Sequence, residues 1–336
     1  MEQPTAIAIC QLIADSGKHV AARLADATGA SRQAASAWLA RLREEGVIRS
    51  EGVGRGTTYQ LVDVVDKRLV YRREGLSEDV VWREIGGPVV ADLADNVRAI
   101  WHHGITEMVN NAIEHSASDI VEVSMTRNVL RAECWISDAG EGIFLKIQRA
   151  LDLYDPREAI LELAKGKLTT DPAHHSGEGI FFSSKMFDRF VIRSGELSFV
   201  HLSKEGADVM LMRDAHAAGT SVYMGLDNDS PRTAREVFDT FAMPDEFTFA
   251  KTIVPVRLAQ HEGESLISRS QAKRLTKRFE RFQTVILDFA GVTEIGQGFA
   301  DEVFRVFANA HPQVTLQPTG LAPAVHAMIK RVQTAT

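Results

Sequence analysis

The chain has 336 residues, of which 45% are hydrophobic and 25% charged, and its formal net charge is −7. This composition excludes a disordered or collagen-like chain and fits a globular protein of roughly two or three domains. The acidic balance excludes a general polycation, so any nucleic-acid contact has to come from a local patch.

The start, "MEQPTAIAIC", has neither the basic opening nor the apolar core of a signal peptide. No apolar run approaches the ~20 residues of a membrane span. A cytoplasmic protein without membrane contact is expected. Its two cysteines, Cys10 and Cys134, each lie in an apolar run and have no metal-ligand spacing, which predicts buried thiols in a reducing compartment.

Residues 1–62 predict three helices and a hairpin. "PTAIAICQLIADSG" and "HVAARLADATGA" are apolar-periodic, and "SRQAASAWLARLREEG" opens on Ser31 as N-cap and stops at Gly46. "VIRSEGVGRGTTYQLV" then gives two strands around a glycine-rich tip. The turn Gly29-Ala30 before Ser31 and the tip "GVGRGTTY" resemble a winged helix-turn-helix domain. That resemblance implies DNA contacts from Arg32, Gln33 and Ser36 on the third helix and from Arg55 on the wing. The segment carries seven Lys/Arg against six Asp/Glu, so phosphate attraction is weak for a monomer. A wing that contacts protein, or that mediates a homodimer, is the alternative.

Residues 63–85 read as a charged connector without a sustained heptad, so no coiled-coil stalk is expected. Residues 86–230 predict a long helix ending in "TEMVNNAIEHS" and two strands, "IVEVSMTRN" and "VLRAECWISD". A polar segment follows, then a helix "IFFSSKMF" and three further strand-like runs, "FVIRSGELSFVHL", "ADVMLMRD" and "GTSVYMGL". This is an α+β pattern of helices on a mostly antiparallel sheet.

At roughly 100° per residue, Ile105, Met108, Val109, Ala112 and Ile113 form the core stripe of the long helix. Glu107, Asn110, Asn111, Glu114 and His115 crowd the opposite face, with Glu107, Asn111 and His115 in one i, i+4, i+8 row. An amide oxygen there can ligate Mg²⁺, and a carboxylate can orient or deprotonate a water or hydroxyl. Downstream, "SDAGEGI" places Asp138, Gly140 and Gly142 after a strand. "SGEGI" places Gly177 and Gly179 at a helix start, which is a phosphate cradle. Gly219-Thr220 opens a late strand.

The order of "EMVNNAIEH", "DAGEGI", "SGEGI" and "GT" resembles the Bergerat-fold, histidine-kinase-like ATPases, most closely the anti-sigma-factor serine kinase branch. The resemblance implies an ATP and Mg²⁺ site with Glu107 as general base and Asn111 as Mg²⁺ ligand. Asp138, with Thr220 beside it, would bind adenine. Gly140 and Gly142 would permit its approach, and Gly177 and Gly179 would line the phosphates under a lid of about residues 145–176. Position 178 departs from the kinases by carrying Glu where an apolar residue is common. A carboxylate there has to point outward, meet Mg²⁺ or pair with a base. Lys165, Lys167, His174 and His175 read as solvated lid charges, and His102 and His103 as structural.

Residues 250–336 alternate strand and helix through "TIVPVRLA", "SRSQAKRLTKRFERF", "TVILDF", "GFADEVFRVFANA", "VTLQPT" and "APAVHAMIKRV", predicting a small sheet with parallel pairs. "VILDF" with the loop "AGVTEIGQG" resembles the STAS-like fold of anti-sigma-factor antagonists, which implies a regulatory protein partner. The phosphoacceptor serine of those antagonists has no counterpart among Ile295, Gly296, Gln297 and Gly298. Arg269, Lys273, Lys277 and Arg281, with Arg274 and Arg278 alongside, predict a solvated basic face, or one for a phosphate-rich or acidic partner.

The whole reads as a multidomain α+β protein: a winged helix, an ATP-binding α/β sandwich and a STAS-like domain. Its function is expected to be nucleotide-dependent regulation of DNA or partner binding in transcription or defence. A serine/threonine kinase acting on a separate protein is the alternative.

Overall fold

The computed structural model describes residues 4–168, 177–243, 248–260 and 264–334, with side chains at 55 and 215–217 left aside. It is a mixed α/β chain with a hairpin, a five-stranded sheet and a three-stranded sheet.

The N-terminal unit comprises α1 (Ala6–Asp15), α2 (Val20–Thr28), α3 (Arg32–Glu44) and an antiparallel hairpin of β1 (Ile48–Glu51) and β2 (Thr58–Leu61). Ser31 caps α3 by accepting from the Ala34 amide at 3.2 Å. Ala35, Leu39 and Leu42 of α3 are buried with Ile9, Cys10, Ile13 and Leu24 in a separate small core. Leu130, from the turn of a central hairpin, completes that core and ties the unit to the rest.

The central unit begins earlier than expected. Within the supposed connector, Val65–Arg72 forms β3, which pairs antiparallel with β4 (Ile120–Arg127) from Val65↔Arg127 to Arg72↔Ile120. Charge masked it: Asp66, Lys67, Arg68 and Arg72 belong to an edge strand, where charged side chains are common. A helical stretch follows, α4 (Glu78–Val81), a π-turn (Trp82–Gly86) and α5 (Gly87–Val89), then the long α6 (Asp95–His115).

Next come β5 (Arg131–Asp138), α7 (Ile143–Ala150), α8 (Arg157–Lys165), α9 (Gly179–Met186), β6 (Arg189–Leu202) and β7 (Ala207–Asp227). Two expected strands, "ADVMLMRD" and "GTSVYMGL", are one in β7, because bulges near Gly195 of β6 absorb the irregular register. Sheet order is β3-β4-β5-β7-β6, antiparallel throughout.

Alternation along the strands sets the layers. Val121, Val123, Met125, Ala132, Cys134 and Ile136 are buried, and the residues between them are half-exposed. One sheet face therefore packs under α6 and its neighbours. Both cysteines are buried and free. α10 (Ala234–Phe241) packs on α9, where Phe181, Phe182, Phe238, Phe241 and Phe249 form an aromatic cluster with centroids 4.1–6.3 Å apart. Phe238 stays partly exposed, and burying each of the other four rings contributes about 1.5–3 kcal/mol.

The C-terminal unit holds β8 (Lys251–Pro255), α11 (Arg269–Thr276), β9 (Thr284–Asp288), α12 (Gln297–Asp301), α13 (Ala308–Ala310), β10 (Thr315–Thr319) and α14 (Pro323–Thr334). Its sheet is parallel, in the order β10-β9-β8.

The row Arg269, Lys273, Lys277 and Arg281 is exposed, as expected of a solvated face, but the two bases alongside it, Arg274 and Arg278, are covered, Arg274 in part. Arg278 is 6% exposed and binds Glu162 of α8 at 2.8 Å, and Arg274 lies 3.5 Å from Glu158. Lys165 at the end of α8, expected in a solvated lid, is fully buried and binds Glu162 at 2.6 Å. Spacing alone did not reveal that the acids of α8 face these bases.

Candidate functional site

A cavity of about 450 Å³ lies between α6, α7, α9 and the sheet. His103, Glu107, Asn111 and His115 of α6 line it in one row. The expected row therefore extends a turn further back, and His103, read as structural, belongs to the wall. An i−4 step from Glu107 was the signal that would have found it. Asn110 and Glu114 do not line the cavity, which separates the two adjacent asparagines.

Asn111 donates from its side-chain amide to the Glu107 carbonyl at 2.8 Å. The nitrogen is thus used by the helix, and the oxygen is the atom left for a cation. Glu107 packs against the first turn of α9: a Cβ at Gly179 would strike its carboxylate. A carboxylate at that helix end is favoured by the dipole. Glu178 is the N-cap of α9 and makes no side-chain cap hydrogen bond. The amides of a helix start can form an anion site.

Across the cavity, Asp138 ends β5. Its Oδ1 accepts from the Gly140 amide at 2.8 Å and the Thr220 amide at 3.3 Å. Burial pushes its carboxyl pKa up, and these two hydrogen bonds pull the other way. The Thr220 hydroxyl accepts from the Ile143 amide at 3.0 Å, joining β7 to the start of α7. Gly142 has φ +88°, a left-handed conformation that disfavours a side chain.

Gly140, expected to admit a ligand, does not line the cavity. Its Cα instead sits against the Ser116 carbonyl, where a Cβ would clash. Lys146, missed in the sequence, lines the cavity and donates to the His115 carbonyl at 2.8 Å. No spacing rule points to it, because α7 meets α6 only through the fold.

Gly177, Glu178 and Gly179 line the opposite end with Leu168. Of the three dispositions open to Glu178, pointing outward is excluded: it is half-buried in the cavity wall, where burial raises its pKa and the charge of Lys167 only partly counters that rise. His174 and His175, and the rest of 169–176, lie outside the described residues. On α3, Arg32, Gln33 and Ser36 are all exposed, and the Arg55 side chain lies outside the description.

Seven of the eight expected pocket residues, Glu107, Asn111, Asp138, Gly142, Gly177, Gly179 and Thr220, thus converge on one cavity. Residues 271–326 match a STAS-like domain of unknown function (DUF4325). The C-terminal unit is accordingly STAS-like. No curated protein matches the chain. No helix among the described residues is long and apolar enough to cross a membrane.

Proposed function

We propose that the cavity binds ATP with Mg²⁺, and that its occupancy switches the contacts of the flanking units with DNA or a partner protein. The protein is then a regulator in transcription or defence. The observation that carries this reading is convergence. Four stretches spread from Glu107 to Thr220 line one cavity between helices and an antiparallel sheet, as in histidine-kinase-like ATP-binding domains.

The residues present fit the ligand. Asp138 offers a carboxylate acceptor to an exocyclic amine. The amides at the start of α9 offer donors to phosphate. Among the described residues no group of three or more His, Cys, Asp or Glu could hold a metal ion. This suits Mg²⁺, which is bound largely by phosphates, waters and one or two protein oxygens. When bound, Mg²⁺ neutralises phosphate charge. Asn111 supplies the protein oxygen, Glu107 orients or deprotonates the attacking hydroxyl or water, and Lys167 screens Glu178. The exposed α3 with its hairpin supports a winged-helix reading of residues 1–62, with Arg32, Gln33 and Ser36 facing DNA.

Glu107 seated at the start of α9 also favours a second reading, a serine/threonine kinase acting on a separate protein. Calorimetry with ATP and Mg²⁺ tests the shared premise, and absence of binding at millimolar ATP refutes both. Incubation with γ-labelled ATP, with and without cell lysate, separates them. Label moving to another protein favours the kinase. Phosphate release alone, or ATP-dependent DNA binding, favours the regulator.

A further inference from the structure

The segment that closes the cavity is held from outside the unit that carries it. Residues 165–167 present three successive carbonyls, and each is taken by the C-terminal unit. Thr252 of β8 donates to the Lys165 carbonyl at 2.8 Å. Arg278 donates to the Gly166 carbonyl at 3.1 Å and to that of Lys167. Arg281 adds a donor to the Lys167 carbonyl at 3.2 Å, and the Lys167 ammonium returns one to the Arg281 carbonyl at 3.0 Å.

Beneath this row lies a buried charge cluster. Glu162 binds Lys165 and Arg278 through separate oxygens, and Lys165 also donates to the carbonyls of Arg274 and Lys277 at 3.1 and 2.9 Å. The segment then meets the glycine loop: the Leu168 amide donates to the Gly177 carbonyl at 3.0 Å. Leu168, Gly177, Glu178 and Gly179 all line the cavity.

We propose that Arg278 is a positioning residue of the cavity. Through the Gly166 and Lys167 carbonyls it fixes Leu168, and through Leu168 the glycine loop at the start of α9. Docking of the STAS-like unit on α8 and occupancy of the cavity are therefore coupled. The identity of the ligand rests on the nucleotide reading, whereas the anchoring does not. An arginine suits this role because its planar fork carries five donors, enough for one carboxylate oxygen and two carbonyls at once. Coupling is reciprocal: a partner that draws α11 from α8 loosens the loop, and a ligand that orders the loop strengthens the docking.

The test uses the full chain. Hydrogen exchange at Leu168 and Gly177–Phe182 is compared for wild type, Arg278→Ala, Arg278→Lys and Arg257→Ala, with ATP affinity measured alongside. Arg257 is the control, because it bonds the Asp208 carbonyl at 2.9 Å from the same unit without touching the closing segment. Arg278→Ala is expected to speed exchange of these amides and weaken ATP about tenfold, while Arg257→Ala leaves both unchanged. Arg278→Lys keeps the charge beside Glu162 and so guards against simple unfolding, but it cannot span both carbonyls. It is expected to share the faster exchange. Wild-type exchange in either Arg278 variant overturns the proposal. Faster exchange in a protein that binds no ATP upholds the anchoring and refutes only the nucleotide reading.

Discussion

Asparagine at position 138 changes one oxygen into an NH₂ group and almost nothing else. Asp138 Oδ1 already serves the Gly140 and Thr220 amides, and the asparagine oxygen can keep both bonds. The new NH₂ then occupies the place of the second oxygen, the one available to an adenine amine. Two donors face each other. The lost bond to a charged acceptor costs about 1.5–3 kcal/mol, and the stranded donor about 1–3 kcal/mol more. Together these predict ATP binding weakened on the order of 10²–10⁴-fold.

The ligand-free protein should respond in the opposite sense. Burial raises the Asp138 pKa, so the ionised carboxylate opposes folding once pH exceeds its folded value, and a neutral amide removes that cost. Asp138→Asn is therefore expected to melt at or slightly above the wild-type temperature while failing to bind in calorimetry. An ATP affinity within threefold of wild type refutes the adenine assignment. A lowered melting temperature shows that the carboxylate serves the fold instead.

Three further outcomes are expected. Glu107→Ala should keep ATP affinity within about threefold and lower turnover by about 10²–10⁴-fold, the usual range for a general base. Phosphate release at the wild-type rate would exclude Glu107 from that role. Stability should fall in two acid steps at the cluster joining α9 to the β6–β7 hairpin, where Asp208 lies 2.8 Å from Lys185 and 2.5 Å from His201. Burial and Lys185 depress the His201 pKa below 6.5, so stability is lost as pH falls through 6.5 and the unfolded chain takes up the proton.

Burial alone would raise the Asp208 pKa, but Lys185 and His201 outweigh it and hold the carboxyl at about 2, against the ordinary 3.8. Roughly 2 kcal/mol present above pH 3.8 is then lost as pH falls toward 2. Urea titrations of wild type and Asp208→Asn should show the second step vanish in the variant, which is itself about 3–5 kcal/mol less stable. An unchanged acid profile contradicts the assignment. For DNA, Arg32→Ala should lower the log–log salt slope of binding by about 1 if Arg32 meets phosphate. Anisotropy showing no DNA binding by the wild type at low salt would remove DNA as a partner.

Legibility followed locality. Ser31 as the cap of α3 was readable because capping chemistry is local. The row of α6 and the β-α alternation of the C-terminal unit were readable for the same reason, since period and turn residues are local. The element that escaped, β3, is an edge strand whose charges resemble a linker and whose partner β4 lies some fifty residues on. In the cavity, the residues on glycine motifs or helical rows were legible. Lys146 and Phe238 were not, because they reach the wall only through packing of α7 and α10.

The same contrast bears on the STAS-like unit. Its loop at Ile295–Gly298 has no hydroxyl to receive a phosphoryl group, so the chain does not carry its own acceptor at that position. Yet its α11 side is committed to the neighbouring unit, with Arg278 buried against Glu162 and the main chain of 165–167 held carbonyl by carbonyl. Breaking a buried pair by removing one partner costs about 3–5 kcal/mol, whereas a chance contact between mobile domains would be exposed and worth under about 1 kcal/mol. A surface that has lost the acceptor chemistry but holds a buried ionic joint beside the cavity is better suited to transmit occupancy than to receive phosphate. The i, i+4 row of α11 stays exposed, and it is the flanking Arg274 and Arg278 that meet α8, the helix that leads directly into the wall of the cavity.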